Sequence, residues 1–276
     1  MILDPIYKTL LKKNYKFLNL YKDKTCYIFG NGASIKYIHL NDFQDLHSIS
    51  INLMVLHKDF KNLKTCAYVL PESFLFYKYF KNPYDQKFAE NIIGNLFRKN
   101  IKRFKNINLF TSVTNYLGAP TKNTYFLHHF GKKIPDPTFI DATGCFSFMA
   151  GGLYAAIGMA IYMGFAKAKL VGCDYLQTPR GYGHFYSEDK KIVKKDYSNP
   201  YQELLEATKD KIELKLITID ADSKWLKTEN YRNISSKPIK YKENFEILEE
   251  INLIEMERAH QVGQFPHKIT SKHQLL

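Results

Sequence analysis

The sequence predicts an α/β protein built on one doubly wound, mostly parallel sheet, with a lid region and a helical C-terminal extension. Three observations predict it. Short β-rich apolar runs recur along the chain between stretches of helical period. The first of them, Thr25 to Phe29 (TCYIF), breaks at once into the glycine turn Gly30-Asn31-Gly32. A later run, Leu170 to Asp174, ends on a carboxylate and opens into a long polar loop.

Taken in order, Asp4 to Tyr21 spaces Ile6, Leu10, Leu11, Phe17 and Leu20 among lysines, which predicts a helix with a basic outer face. Residues 1–24 therefore form an N-terminal accessory segment. Thr25–Phe29, the turn and the helix start after it make the opening βα unit of a Rossmann-like, nucleotide-binding sheet. His47 to Leu53 alternates toward a second strand, and Thr65 to Leu70 gives a third, stopped by Pro71. Asp85 to Phe97 is helix-like, and Ile107–Thr111 is another strand. Leu170–Asp174 and Leu214–Ile219 bring the set to about six, in a domain spanning 25–230. The polar, tyrosine-rich loop at about 179–200 is a lid over the carboxyl ends of the strands. Helix returns at Tyr201–Asp210. The extension 231–276 is charged, with a helix at Glu243–His260 and a basic, proline-containing end.

Cys145 to Phe165 carries no charge and exceeds the roughly 18 residues that raise the question of a membrane span. Its neighbours, DATG before it and the strand-like AKAKLVGCDY after it, favour a buried helix packed on the sheet.

The 276 residues hold 40 Lys+Arg against 27 Asp+Glu, a net charge of +13. With 45% hydrophobic and 15% aromatic residues, disorder is excluded. The basic balance suits nucleic acid, an anionic membrane surface or an anionic substrate. The lysine clusters at 61–64, 102–105, 190–195 and 237–242 match no nucleic-acid-binding motif. Cys26, Cys66, Cys145 and Cys173 lack CxxC spacing and sit in apolar runs, which predicts buried thiols in a reducing compartment. Lysines interrupt Met1–Asn19, so no secretory signal is expected, and the localisation expected is cytoplasmic.

Two regions could carry chemistry. In Gly30-Asn31-Gly32-Ala33-Ser34 the glycines let backbone N–H groups and a helix start face an anion, with Asn31 and Ser34 adding side-chain hydrogen bonds. The plain alternative is a βα turn with Ser34 as the cap. In Val171–Ser187, Asp174 ends the strand, where it meets a ligand or orders the site. Tyr175, Arg180, Tyr182, His184 and Tyr186 follow, the parts of a general base and an anion-stabilising set. His128 and His129 read as a surface loop. Asp220-Ala221-Asp222 has the spacing of a divalent-metal pair, but Asp222 as a cap for a following helix explains it as well.

The order strand, GNGASIK, strand, SIN, glycine-led apolar helix, LVGCDY, tyrosine-rich loop, helix, ELKLITID resembles the bacterial sialyltransferases of glycosyltransferase family 42 and the related motility-accessory nonulosonate transferases. The resemblance runs from about Tyr27 to Ser223. It implies a GT-A variant of the fold and a CMP-sugar donor whose nucleotide meets Asn31, Gly32 and Ser34. It further implies Asn52 near the donor phosphate, Gly151 and Gly152 at a helix entry facing the donor, and Tyr175 and Tyr182 on the departing phosphate. The family's third asparagine is replaced here by Leu70-Pro71-Glu72, and the position of its catalytic histidine reads DYSNPY. Either His184 takes over as base, or the mechanism differs. The implied reaction is an inverting, metal-independent transfer to a surface glycan such as lipooligosaccharide or capsule, with Arg180 helping to hold the phosphate. No cofactor or nucleic acid is expected. Peripheral contact with the anionic inner face of the cytoplasmic membrane and a homo-oligomer fit the same reading. The alternatives are a nucleotide-dependent pyrophosphokinase-like transferase of the same fold, and a non-catalytic basic module binding membrane or nucleic acid.

Overall fold

Eight parallel strands form one sheet: β1 Thr25–Phe29, β2 His47–Ile51, β3 Lys64–Leu70, β4 Leu109–Ser112, β5 Thr124–Leu127, β6 Lys167–Val171, β7 Glu213–Thr218 and β8 Lys227–Asn230. Their order across the sheet is β8-β7-β6-β1-β2-β3-β4-β5. The computed structural model describes residues 4–81, 88–104, 106–129, 136, 139–187, 192–193 and 197–265. Beside the sheet lie α1 Asp4–Lys12, α2 Ile92–Lys102, α3 Gly152–Tyr162, α4 Gln202–Thr208, α5 Asn244–Ile247 and α6 Glu250–Gln261, with several short 3-10 turns.

Both faces are covered, which is why the central strands read as continuous apolar runs. Tyr27 and Phe29 of β1 point into a core with Leu96 and Phe97 of α2 and Leu253 and Met256 of α6. The alternate residues Cys26 and Ile28 point the other way, against Ala156, Ile157 and Ala160 of α3. This is the doubly wound, Rossmann-like arrangement that the sequence predicts, with α6 built into its core.

Two strands beyond the expected six complete the sheet. β8 (KTEN) is a polar edge strand held by Glu229, which pairs with Lys169 at 3.0 Å and Lys215 at 3.1 Å, so it carries no apolar alternation to be read. β5 (TYFL) is only four residues long. It is fixed from outside by Asn14, whose Nδ2 donates to the Phe126 carbonyl at 2.7 Å and the Ala142 carbonyl at 2.6 Å. Phe17 stacks edge-on against Phe110 and Tyr125 beside it.

Several expected boundaries move. The helix expected over Asp85–Phe97 starts only at Ile92, because Asn91 caps it by accepting the Gly94 N–H at 2.7 Å. A hairpin of Tyr79–Lys81 with Phe88–Glu90 precedes it, and 85–87 lie outside the described residues. Of the uncharged run Cys145–Phe165, only Gly152–Tyr162 is helical. Phe146 and Phe148 are buried in non-helical backbone. Eleven residues rise about 16 Å, half of a hydrocarbon core. Among the described residues no helix is long and apolar enough to cross a membrane. The expected Glu243–His260 helix is broken at Leu248 into α5 and α6. No helix follows Asp222: Ser223 Oγ accepts the N–H groups of Trp225 and Leu226, and the chain enters β8.

Candidate functional site

From β1 the chain winds outward through β2, β3, β4 and β5, then returns to the other side of β1 as β6 and winds away through β7 and β8. The connections therefore part company between β1 and β6, and the crevice at their carboxyl ends is where such a sheet binds ligands. A cleft lies there. Gly30, Asn31 and Gly32 line it after β1, Asn52 after β2, Gly172, Cys173 and Tyr175 after β6, and Gly152 and Leu153 from the first turn of α3. His184 and Tyr201 close its side.

The glycine turn spends several of its donors within the protein. Its Gly30 N–H donates to the Val171 carbonyl at 2.8 Å and its Gly32 N–H to the Gly172 carbonyl at 2.7 Å, stitching the turn to the end of β6. Asp174, 1% exposed, accepts the Ser34 N–H at 2.8 Å and the Ser34 hydroxyl at 2.5 Å. A Cβ on Gly32 would stand 2.5 Å from the Asp174 carboxyl carbon. The carboxylate thus sits where a ligand's anion was expected, and the segment behind it, Ala33–Tyr37, is a short 3-10 turn. Gly30, Gly32, Ser34 and Asp174 shape the cleft, and the N–H groups of Gly30, Gly32 and Ser34 are spent within the fold.

Unsatisfied polarity sits elsewhere in the cleft. Asn31 is 6% exposed, its Nδ2 is 3.5 Å from the Ile51 carbonyl, and its Oδ1 is buried with no partner. Asn52 holds left-handed backbone, φ 48°, immediately after β2, and its Oδ1 is also buried and unpartnered. The Tyr68 hydroxyl donates to the Asn52 carbonyl and helps hold that turn. Asn52 Oδ1 would lie 2.7 Å from a Cβ on Gly152, so glycine alone lets the amide rest on the first turn of α3. Gly151, which has no side chain to cap with, precedes that helix, and Gly152 and Leu153 of its first turn line the cleft at the positive end of the helix. A buried amide oxygen without a partner is costly, and in a cleft a ligand or a water can supply that partner.

His184 lies across the turn. Residues 32 and 184 form an antiparallel bridge, the Phe185 N–H donates to the Asn31 carbonyl at 3.0 Å, and His184 Nδ1 is 3.3 Å from the same oxygen. A carbonyl only accepts, so Nδ1 carries the proton and Nε2 is the basic nitrogen. Tyr186 stacks beneath the imidazole at 5.0 Å and 14°. Buried Lys36 donates to the Ser187 carbonyl at 2.7 Å and fixes the loop from behind. Burial pushes the Tyr201 phenol up to about 12, and burial with Tyr182 beside it raises Tyr175, so both phenols stay protonated donors.

Three expected residues stand back from the cleft. Arg180 Nε donates to the Tyr182 hydroxyl at 3.0 Å with its guanidinium 4.9 Å from that ring's centroid. Tyr182 in turn meets Tyr175 edge-on at 5.5 Å. Arg180 and Tyr182 thus stand behind Tyr175, one step back from the residues that line the cleft. Arg180 still acts at a distance, since its charge pulls the Tyr175 and Tyr201 phenols down against burial. Tyr186 is buried beneath His184 rather than facing ligand. The lid residues 188–191 and 194–196 lie outside the described residues.

The remaining candidates fall away from the site. Asp220 pairs with Arg232 at 3.0 Å, and the Asp222 carbonyl accepts the Thr178 N–H at 2.7 Å. Among the described residues no group of three His, Cys, Asp or Glu is placed to hold a metal ion. His128 and His129 lie in the loop after β5, half-buried, with His128 stacked on Tyr7 at 5.9 Å. Tyr201, which the residue pattern alone does not assign to the site, lines the cleft from its place directly after the lid region. No family model, curated protein or solved structure matches the chain.

Proposed function

We propose that the protein is a glycosyltransferase that moves a sialic-acid-like sugar from a CMP-activated donor to a hydroxyl of a surface glycan. The observation that supports this reading is the convergence, at the switch point of the sheet, of the unpartnered side-chain oxygens of Asn31 and Asn52, the first turn of α3 and the imidazole of His184. The amides suit the hydroxyls and carbonyls of a nucleotide sugar. The α3 start suits its phosphate, in place of the occupied glycine turn.

In this mechanism His184 Nε2 removes the acceptor hydroxyl proton as that oxygen attacks the anomeric carbon. The bond from that carbon to the phosphate oxygen breaks, and CMP leaves with the electron pair. The leaving phosphate is met by the first N–H groups of α3 and by the protonated Tyr175, with Arg180 contributing charge from behind Tyr182. Asp174 keeps the turn beneath the reacting atoms in place and takes no proton.

Thermal-shift measurements with CMP, UDP and ATP with magnesium test the reading. Selective stabilisation by CMP is expected, and stabilisation by ATP with magnesium alone overturns it in favour of a phosphoryl-transfer enzyme. His184→Ala is expected to abolish transfer from a CMP-sugar while CMP still stabilises the protein; near-normal turnover removes His184 from the base role.

A further inference from the structure

Residues 6–24 cover one flank of the molecule and turn a distinctive face outward. Leu10, Leu11 and Phe17 are buried against the body. On the outside Lys8, Lys12, Lys13, Lys22 and Lys24 are exposed, the exposed Lys16 turns its ammonium to the Tyr125 hydroxyl, and Asp23 is the one acidic residue in the segment. Among those lysines stand apolar side chains that the fold does not bury: Ile6 is 48% exposed, Leu18 42% and Leu20 52%. The face is held firmly. The N–H groups of Asn19, Tyr21 and Asp23 donate to the carbonyls of Tyr162, Met163 and Gly164 at 3.1, 2.8 and 3.0 Å.

We propose that this face docks on an anionic phospholipid bilayer. Six lysines against one acid complement a negative surface, and each added cation strengthens the attraction near such a surface. The exposed Ile6, Leu18 and Leu20 match the boundary between headgroups and acyl chains, where an amphipathic segment buries its apolar side chains. Exposed aliphatic groups have no counterpart on a nucleic-acid backbone, and the segment holds no arginine, the residue suited to bidentate phosphate contacts. The proposal does not depend on the transferase reading.

The fold sets the orientation that follows. The segment meets α3 at its last residues, whereas the first turn of α3 opens into the cleft. Residues 19–23 thus lie at the end of α3 away from the cleft, while Tyr7, stacked on His128 after β5, and Leu10 and Leu11, packed with Val113 after β4, stand toward the carboxyl ends of the strands, so the docking face runs along the flank from one end of the sheet to the other.

Flotation of the full-length protein with vesicles tests this. Binding is expected to vesicles of phosphatidylcholine mixed with phosphatidylglycerol, absent with phosphatidylcholine alone and lost at high salt. Lys12→Glu/Lys13→Glu is expected to lower the partition coefficient at least ~10-fold, whereas the same charge change at exposed Lys237→Glu/Lys240→Glu leaves it within ~2-fold. Leu18→Ser/Leu20→Ser is expected to weaken binding several-fold with its salt dependence retained, and because both side chains are exposed this pair tests the face even where a charge-reversed variant misfolds. Equal binding to both vesicle types, equal loss in the two charge-reversed proteins, or tighter binding to a duplex oligonucleotide than to the anionic vesicles overturns the proposal.

Discussion

The carboxylate of Asp174 holds Ser34 twice, through its N–H at 2.8 Å and through its hydroxyl at 2.5 Å, and so ties the turn after β1 to the end of β6. These two turns frame the cleft, and the tie spans 140 residues of sequence. Hydrogen bonds to a buried charged group are the strong kind. Asp174→Ala is expected to lower stability by about 3 kcal/mol in urea unfolding. Adding Ser34→Ala to that variant is expected to cost little more, because the shared interaction is already gone; additive losses in the double-mutant cycle count against the tie.

Gly151 and Gly152 make a paired test of the α3 entry. A methyl on Gly152 meets Asn52 Oδ1 at 2.7 Å, whereas a methyl on Gly151, in extended backbone at φ 170°, has nothing within 4 Å. Gly152→Ala is expected to push the amide off the helix start and weaken CMP binding at least ~10-fold at a stability cost of about 1–2 kcal/mol. Gly151→Ala is expected to leave both unchanged in calorimetric titration. Equal effects of the two substitutions would show that Asn52 does not depend on close approach to α3.

The sheet was legible because buried parallel strands such as TCYIF and KTCAYVL write their burial as apolar runs. β8 was not, because an edge strand held by Glu229 and lysines has no apolar signature. The site was legible as a set of residue types: Asn31, Asn52, Gly152, Tyr175 and His184 do meet in one cleft. Their division of labour was not. A glycine turn reads the same whether its N–H groups await a phosphate or are spent on Val171 and Gly172, and only the fold places the Asp174 carboxylate over Ser34. Likewise the residue types alone do not show that Arg180 donates to Tyr182 behind Tyr175.

The cysteines differ in reactivity for the same reason of burial. Desolvation pushes the Cys66 and Cys173 thiols up to about 12, and burial raises Cys26 as well. Cys145 is only half-buried. Thiolate is the reactive form, so an aromatic disulfide reagent at about pH 8 is expected to label Cys145 in the native protein and all four thiols after unfolding. Cys145→Ser is expected to remove the native labelling; rapid native labelling of Cys173, which lines the cleft, would contradict its burial.

His57 gives the molecule an acid-sensitive buttress behind the His184 loop. The ring is 3% exposed and lies 6.0 Å from Phe185; its Nδ1 accepts the Asp59 N–H at 3.1 Å, and its Nε2 is buried with no partner. Burial, then the charges of Lys242 and Lys58, lower its pKa from 6.5 to about 3. The unfolded chain therefore takes up a proton near 6.5 that the native protein refuses until about 3. Stability is full above 6.5 and falls as the pH drops through that window, by about 2 kcal/mol at about pH 5. His39, His47 and His128 are lowered too, chiefly by burial, and act with the same sign. His57→Phe isolates the buried ring. It loses the bond from Asp59, about 1 kcal/mol at neutral pH, yet its urea-unfolding free energy is expected to fall about 2 kcal/mol less than the parent's between about pH 7.5 and about pH 5. Parallel losses in the two proteins over that interval would mean that His57 is not buried as a neutral ring.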